Sequence, residues 1–200
     1  MKKFLLIMLL LCVTLAGYTY YGYRTKVTRY ELPKGELKWS NVKPKGAKMC
    51  LPAAFTTAEN TILGAYRIDS KTRGHNSRRM SKVSLRDDSF IVTNIWRSNT
   101  GFQQLALVKD SKPQKFNKDK RRHIRRALCK KNGKAFILQS NYPMTLTAFA
   151  NYCSRHCDNA VYLDMGEYGF GYIKSGLIPR PLFIWGIFTQ HKQTNWIYIE

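Results

Sequence analysis

The chain has 200 residues, with 34 lysines and arginines against 12 aspartates and glutamates, and its formal net charge is +22. Hydrophobic residues make up 44% of the chain and aromatic residues 13%, which excludes an acidic disordered chain, a collagen-like repeat and a polar low-complexity tract. So large an excess of positive charge repels itself in a compact fold and therefore predicts an anionic partner. The alternative is a solvated basic face without a dedicated ligand.

An uncharged, largely apolar segment at residues 4–23 follows Lys2 and Lys3. A run of about 20 such residues is long enough to span a bilayer. A basic start followed by an apolar stretch also fits a secretory signal. We therefore interpret residues 1–23 as a signal anchor forming a transmembrane helix, or alternatively as a signal peptide. Both interpretations place the rest of the chain outside the cytoplasm, on the periplasmic or cell-surface side, and disfavour nucleic acid as the partner.

Prolines and glycines interrupt residues 24–48, which show no sustained periodicity and are predicted to form a basic stalk. The remaining residues, 49–200, form the predicted globular domain. Short apolar runs bounded by turn residues predict strands at 61–68, 89–96, 104–109, 124–129, 135–139, 160–164, 182–188 and 196–199. The pair Asn132-Gly133 predicts a tight hairpin turn between two of these strands.

One helix is predicted at about 145–157. Thr145 is a suitable N-cap, and the apolar residues that follow it recur at the spacing of one helical face. A strand-rich mixed sheet with one main helix packed on it is an α+β fold.

Four cysteines, Cys50, Cys129, Cys153 and Cys157, follow the apolar N-terminal run. They permit three complete disulfide pairings in an oxidising compartment. Cys153 and Cys157 lie four residues apart, on the predicted apolar face of the helix. We interpret them as buried thiols on a core face; the alternatives are one disulfide to a distant cysteine and a metal site. We predict no metal site, because a structural zinc ion takes four ligands and no second ligand cluster is visible in the sequence.

Carboxylates are scarce, and Asp164 differs from the others because it ends an apolar strand and enters a glycine-rich turn. Catalytic residues are often found on loops at strand ends. Gly166 would let the backbone approach a ligand closely, and Glu167 would place a second carboxylate in the same turn. Paired carboxylates catalyse glycoside hydrolysis. The alternative is an ordinary turn between strands, with a capping Asp164 and a solvated Glu167.

Arg125 and Arg126 lie on a predicted strand, where alternation places them on opposite faces. One of the two would then point into a site while the other meets solvent. A guanidinium group suits a phosphate or a phosphodiester. The alternative is that both belong to the basic surface. The chain contains no serine-hydrolase elbow, Walker loop, dinucleotide fingerprint or zinc-protease motif, so hydride transfer, nucleotide hydrolysis and zinc proteolysis have no support.

The order of several segments in the chain resembles the phosphodiester glycosidase family over residues 49–200. The matching segments are PAAFTT (52–57), ILGAYRIDS (62–70), QQLALVKDSKP (103–113), RRALCKKNGKAFIL (125–138), MTLTAFANYC (144–153), DNAVYLDMGEYG (158–169) and TNWIYIE (194–200). The resemblance implies Asp164 and Arg125 as site residues. The family's Leu-Asp-Gly-Gly-Gly-Ser turn is altered here, since Met165, Glu167 and Tyr168 replace Gly, Gly and Ser.

We therefore expect a membrane-anchored hydrolase that cleaves a glycosidic bond in a sugar-1-phosphodiester or a related anionic glycan. Asp164 and Glu167 would be the catalytic carboxylates, and Arg125, Arg126 and Gly166 would bind the substrate and its phosphate. No motif identifies a cofactor. The alternative is a non-catalytic, basic, membrane-anchored module that binds anionic glycan or lipid.

Overall fold

The computed structural model describes residues 7–14, 26–116, 119–165, 171–175, 178–181 and 195–200. It is 44% strand and 11% helix, and its strands form three antiparallel sheets. The predicted α+β class with a mixed sheet is therefore wrong: the chain is mostly β. The reason is that many strands have only two to five residues and too few alternating positions to be recognised from their pattern.

The described residues contain sixteen strands and two short helices, the first of which, α1, covers residues 7–14. In chain order the other elements are β1 (Val27–Glu31), β2 (Lys38–Ser40), β3 (Met49–Pro52), β4 (Tyr66–Ile68), β5 (Lys71–Arg73), β6 (Ser81–Arg86), β7 (Ser89–Thr93), β8 (Gly101–Gln104), β9 (Ala106–Lys109), β10 (Lys112–Pro113), β11 (Arg126–Lys131), β12 (Lys134–Ser140), α2 (Leu146–Ser154), β13 (Asn159–Leu163), β14 (Tyr172–Ser175), β15 (Ile178–Pro181) and β16 (Trp196–Ile199).

The six-stranded sheet, with strand order β1-β12-β11-β13-β9-β10, is called the central sheet below. The hairpin β11–β12 turns at Asn132 (φ 49°) and Gly133 (φ 81°), which confirms the predicted tight turn. Side chains alternate along β11, so Leu128 packs into one apolar core while Cys129 packs into another. The two faces of the central sheet therefore have separate cores.

The other two sheets share a core with one face of the central sheet. Their strand orders are β15-β14-β3-β16-β2 and β5-β4-β8-β6-β7. Leu51 of β3, Phe102 of β8 and Leu163 of β13 belong to the same buried cluster. Some predicted strands are shorter than expected: 61–68 contains β4 and 89–96 contains β7. The predicted strand at 182–188 lies outside the described residues.

Helix α2 covers the opposite face of the central sheet. Thr145 caps it, since its hydroxyl oxygen accepts a hydrogen bond from the backbone N–H of Ala148, 3.2 Å away. The predicted apolar face is confirmed, with Leu146, Phe149, Ala150 and Cys153 all buried. The helix ends at Ser154, three residues before the predicted end.

The N-terminal prediction needs correction. No helix of the described residues is long and apolar enough to cross a membrane, so the expected transmembrane helix is not found. Residues 7–14 are helical, while 1–6 and 15–23 lie outside the described part. Within the predicted stalk, β1 pairs with β12 and β2 pairs with β16. The division into domains and the location outside the cytoplasm stay predictions.

Candidate functional site

A cavity of about 840 Å³ opens beside the starts of β11 and α2 and the end of β13. Arg125 comes directly before β11, Tyr162 lies on β13, Leu146 begins α2 and Met165 follows β13. Three distant stretches of chain therefore meet at this cavity. The wall also carries basic, aromatic and acidic side chains, among them Phe55, Arg79, Lys115, Phe116, Asp119, Arg121 and His123.

Arg125 is 5% exposed and is held from several sides. Its backbone N–H donates to Ser140 Oγ at 2.7 Å, which ties it to the end of β12. Nε donates to the Met144 carbonyl (3.2 Å), and Nη2 donates to the Arg121 carbonyl (2.9 Å). Nη2 also donates to Asp119 Oδ2 at 3.2 Å, forming an ion pair. Most of the guanidinium's five donors are therefore used within the protein.

Asp119 is the acid that faces Arg125, and its side chain is 20% exposed. Burial raises the pKa of Asp119, but the hydrogen bond from the Arg121 backbone N–H and the charge of Arg125 outweigh it and lower this pKa overall. Asp119 is therefore ionised at neutral pH. Its negative charge offsets part of the positive charge around the cavity.

Tyr162 interacts with both Arg125 and Asp164, the two site residues implied by the sequence resemblance. Arg125 Nη1 lies 3.5 Å from the Tyr162 hydroxyl oxygen, and the ring packs against Phe55 with centroids 5.4 Å apart. Burial raises the pKa of Tyr162, Arg125 opposes this rise, and the negative charge of Asp164 adds to it. The phenol is therefore neutral at physiological pH, and both Arg125 and Asp164 act on it electrostatically.

Asp164 is half-buried, directly after β13. Its backbone N–H donates to the Ala53 carbonyl at 2.9 Å, which fixes the strand end. Met165, which is 5% exposed, lies on the cavity wall. Gly166 and Glu167 lie outside the described residues, so their predicted roles stay predictions.

Arg126 lies two residues before Leu128 on β11, so its side chain is on the same face of the central sheet as Leu128. It is not among the residues that line the cavity. It is fully buried, and Nε donates to Gln139 Oε1 at 2.9 Å. Burial lowers the pKa of Arg126 to about 10. Gly171 (φ +136°) passes so close that an added Cβ would lie 3.3 Å from Arg126 Nη1. The sequence predicted that one of the two arginines would face solvent, but Arg125 and Arg126 are both buried.

Sequence reasoning missed Asp119 and Tyr162. A signal for Tyr162 existed, because it stands two residues before Asp164 and alternation places both on one face. Asp119 is one of two acids in the basic run 109–134, but nothing local linked it to Arg125.

Three of the five cysteines form a compact group. The sulfur atoms of Cys129, Cys153 and Cys157 all lie within 4.8 Å of one another, and the residues are buried. All five cysteines, each within the described part of the chain, carry free thiols, which fits the interpretation as buried thiols. Hydrogen bonds from Cys129 and Cys153 lower the pKa of Cys157 to about 5, and burial raises the pKa of Cys129.

Comparisons with known proteins give a structural relative but no sequence relative. No protein-family model and no curated protein matches the chain. Among solved structures, the chain is similar to the zebrafish N-acetylglucosamine-1-phosphodiester alpha-N-acetylglucosaminidase catalytic domain, auto-inhibited by its pro-peptide. The match has a TM-score of 0.55 and 13% identity, and covers 87% of this chain and 72% of that one. This likeness shows a distant relationship in fold, which agrees with the family resemblance seen in the sequence.

Proposed function

We propose that the chain is a hydrolase of a glycosidic bond in an anionic sugar conjugate, such as a sugar-1-phosphodiester, and that the cavity beside Arg125 is its substrate site. The observation that carries this proposal is the convergence of Arg125, Tyr162 and Met165 on one cavity. Asp164 is not among the lining residues, but it comes directly before Met165, and alternation places it on the same face as Tyr162. A volume of about 840 Å³ lies in the range of small-molecule sites, roughly 300–1,000 Å³. The fold likeness to a glycosidase catalytic domain also supports it.

The basic side chains on the cavity wall are suited to bind the anion. Arg79, Lys115 and Arg121 are exposed and lie around the opening. Because Arg125 already donates to Asp119 and to two carbonyl oxygens, we assign it a positioning role: it holds Asp119 and the Tyr162 phenol. This assignment differs from the phosphate-binding role expected from the sequence.

The aromatic residues of the wall are suited to the sugar. Phe55, Phe116 and Tyr162 present partly apolar surfaces next to the cations. A sugar ring has apolar faces and a polar edge, so a mixed wall of this kind accommodates it. Asp164 is the proposed acid–base group at the glycosidic oxygen. Glu167, three residues later, is the second carboxylate in this proposal on sequence grounds alone.

The proposal is tested by incubating the full chain with a panel of sugar-1-phosphodiesters and measuring the sugar released. We expect turnover in the wild type and its loss in Asp164→Asn, with an unchanged circular dichroism spectrum. Asp88→Asn is the matched control, because Asp88 is an exposed carboxylate outside the cavity lining, and it should retain full activity.

Unchanged turnover in Asp164→Asn would contradict the catalytic assignment. The non-catalytic alternative gains support from the exposed cations around the cavity. It predicts binding of an anionic glycan that weakens steeply with salt, is indifferent to Asp164→Asn and is accompanied by no turnover.

A further inference from the structure

The cysteine cluster lies on β11, in α2 and just after the end of α2, and none of its three residues lines the cavity. Cys129 is in the middle of β11, where it pairs with Phe136 on one side and Ala160 on the other. Cys153 lies in the last turn of α2, and the backbone N–H of Cys157 donates to the Cys153 carbonyl at 2.8 Å. One helical turn therefore presents two sulfur atoms to the third on the strand.

The spacing of the sulfur atoms suits a shared ion. Zn–S bonds of about 2.3 Å place the sulfur atoms of a tetrahedral or trigonal site roughly 3.8–4.0 Å apart. All three pairs here lie within 4.8 Å, so only small side-chain rotations would bring them into the range of coordination. The group is 0–2% exposed, while the neighbouring Arg155 and His156 are exposed. The ion would therefore have a short route from solvent.

The charges near the cluster are also suitable. A centre of three thiolates and one divalent ion has a net charge of −1. With a monovalent ion, the same centre has a net charge of −2. Arg29 and His156 both favour the negative form of Cys157 electrostatically. Arg29 lies on β1, with its guanidinium carbon 3.7 Å from the centroid of the Phe136 ring. These two side chains would offset the charge of a metal–thiolate centre.

We propose that Cys129, Cys153 and Cys157 form a three-thiolate site for a soft, thiophilic metal ion of the Cu(I) or Zn(II) class. Thiolate ligands select these ions over hard cations such as Mg²⁺ and Ca²⁺. Within the described residues, no fourth cysteine, histidine or carboxylate joins the group. Cu(I) accepts three thiolates without a further ligand, whereas Zn²⁺ completes a tetrahedron with a fourth. The site is therefore expected to bind Cu(I) more tightly than Zn²⁺.

The test uses the full chain, purified under reducing and anaerobic conditions. It is titrated separately with Cu(I) and with Zn²⁺ against a competing chelator, following thiolate-to-metal charge-transfer absorption. We expect one ion per chain, and an X-ray absorption spectrum of the wild-type complex with three sulfur neighbours. The X-ray measurement needs no variant and is therefore independent of any effect of substitution on folding.

Variants assign the ligands. Cys153→Ser should weaken binding by at least about 100-fold, because loss of outer-shell partners alone costs roughly 10- to 100-fold. Cys50→Ser is the matched control, since Cys50 is equally buried but packs with Ala47 and Trp196, and its affinity should equal that of the wild type.

Metal should also raise the melting temperature of the wild type and of Cys50→Ser, but not that of Cys153→Ser. Failure of both ions to bind stoichiometrically would overturn the proposal. In a separate preparation, free thiols are alkylated at cell lysis before any reductant is added, and a disulfide between two of the three cysteines found there by peptide mapping would overturn the proposal as well.

Discussion

Arg125 and Arg126 are neighbours in the chain but lie in different environments on opposite faces of the central sheet. Arg125 is held by Asp119 and by carbonyl oxygens at the edge of a cavity. Arg126 is fully buried between the sheets, where Gln139 accepts a hydrogen bond from it. The strand period of two separates the side chains, and the neighbouring elements then determine what each one does.

The difference shows that a guanidinium on a predicted strand is not by itself evidence for a phosphate site. Arg125 faces an ionised carboxylate at the cavity, whereas Arg126 donates to the neutral side-chain amide of Gln139 inside the core. Burial lowers the pKa of Arg126 to about 10, which still leaves it charged at neutral pH. Arg126 therefore contributes a buried charge to the core, whereas Arg125 organises the cavity wall.

The largest effect on stability is expected from Arg126→Ala. We expect the free energy of unfolding to fall by about 3–5 kcal/mol, because the substitution opens a cavity and leaves the Gln139 side chain buried without its partner. Urea unfolding followed by circular dichroism measures this loss. Arg78→Ala, at an exposed position, is the control and should change stability by no more than about 0.5 kcal/mol. A loss below about 1 kcal/mol for Arg126→Ala would contradict a buried structural role.

A smaller loss is expected from Arg125→Ala. Hydrogen bonds that involve charged groups contribute about 1.5–3 kcal/mol, and the groups left behind lie beside a cavity that water can enter. The free energy of unfolding should therefore fall by about that amount. Arg125→Lys keeps the charge but lacks the planar fork, so its stability should lie between those of wild type and alanine variant. If Arg125→Ala destabilised the protein more than Arg126→Ala, Arg125 and not Arg126 would be the more important arginine for stability.

Local patterns in the sequence predicted some elements well. The Asn-Gly turn and the apolar face of α2 depend on residues within one or two turns of each other, so periodicity and capping identify them. The strands β1 and β2 were missed, because they are short and lie among prolines and glycines. Their stability comes from pairing with β12 and β16, which lie more than 100 residues away.

The fold class was wrong for the same reason. A class depends on how many strands pair and in which direction, and this chain assembles three antiparallel sheets from short strands. Arg125 and Asp164 were named from the sequence, and both act electrostatically on Tyr162 in the structure, while their roles in a site stay predictions. Asp119 lies only six residues before Arg125, but their contact depends on the course of an irregular segment that no periodicity predicts. The cysteine cluster depends on the packing of α2 against β11, which spacing in the sequence does not reveal.

The smallest effect is expected from the titration of Asp119. Its folded-state pKa is lowered below the unfolded value of about 3.9. The ionised carboxylate therefore adds stability that is fully present above the unfolded pKa and is lost as the pH falls through the folded pKa. In Asp119→Asn this contribution is absent, so the variant's stability should fall less steeply below about pH 4 than that of the wild type.

Urea unfolding at a series of pH values between neutral and strongly acidic measures that difference. Asp88→Asn is again the control, because Asp88 is exposed and should leave the wild-type pH dependence in place. Identical acid slopes in wild type and Asp119→Asn would show that the ion pair with Arg125 adds no net stability. The environments of Arg125 and Arg126 would then differ in burial and packing, but not in the energy of an ion pair. The positioning role of Arg125 would depend on its hydrogen bonds to the Met144 and Arg121 carbonyl oxygens.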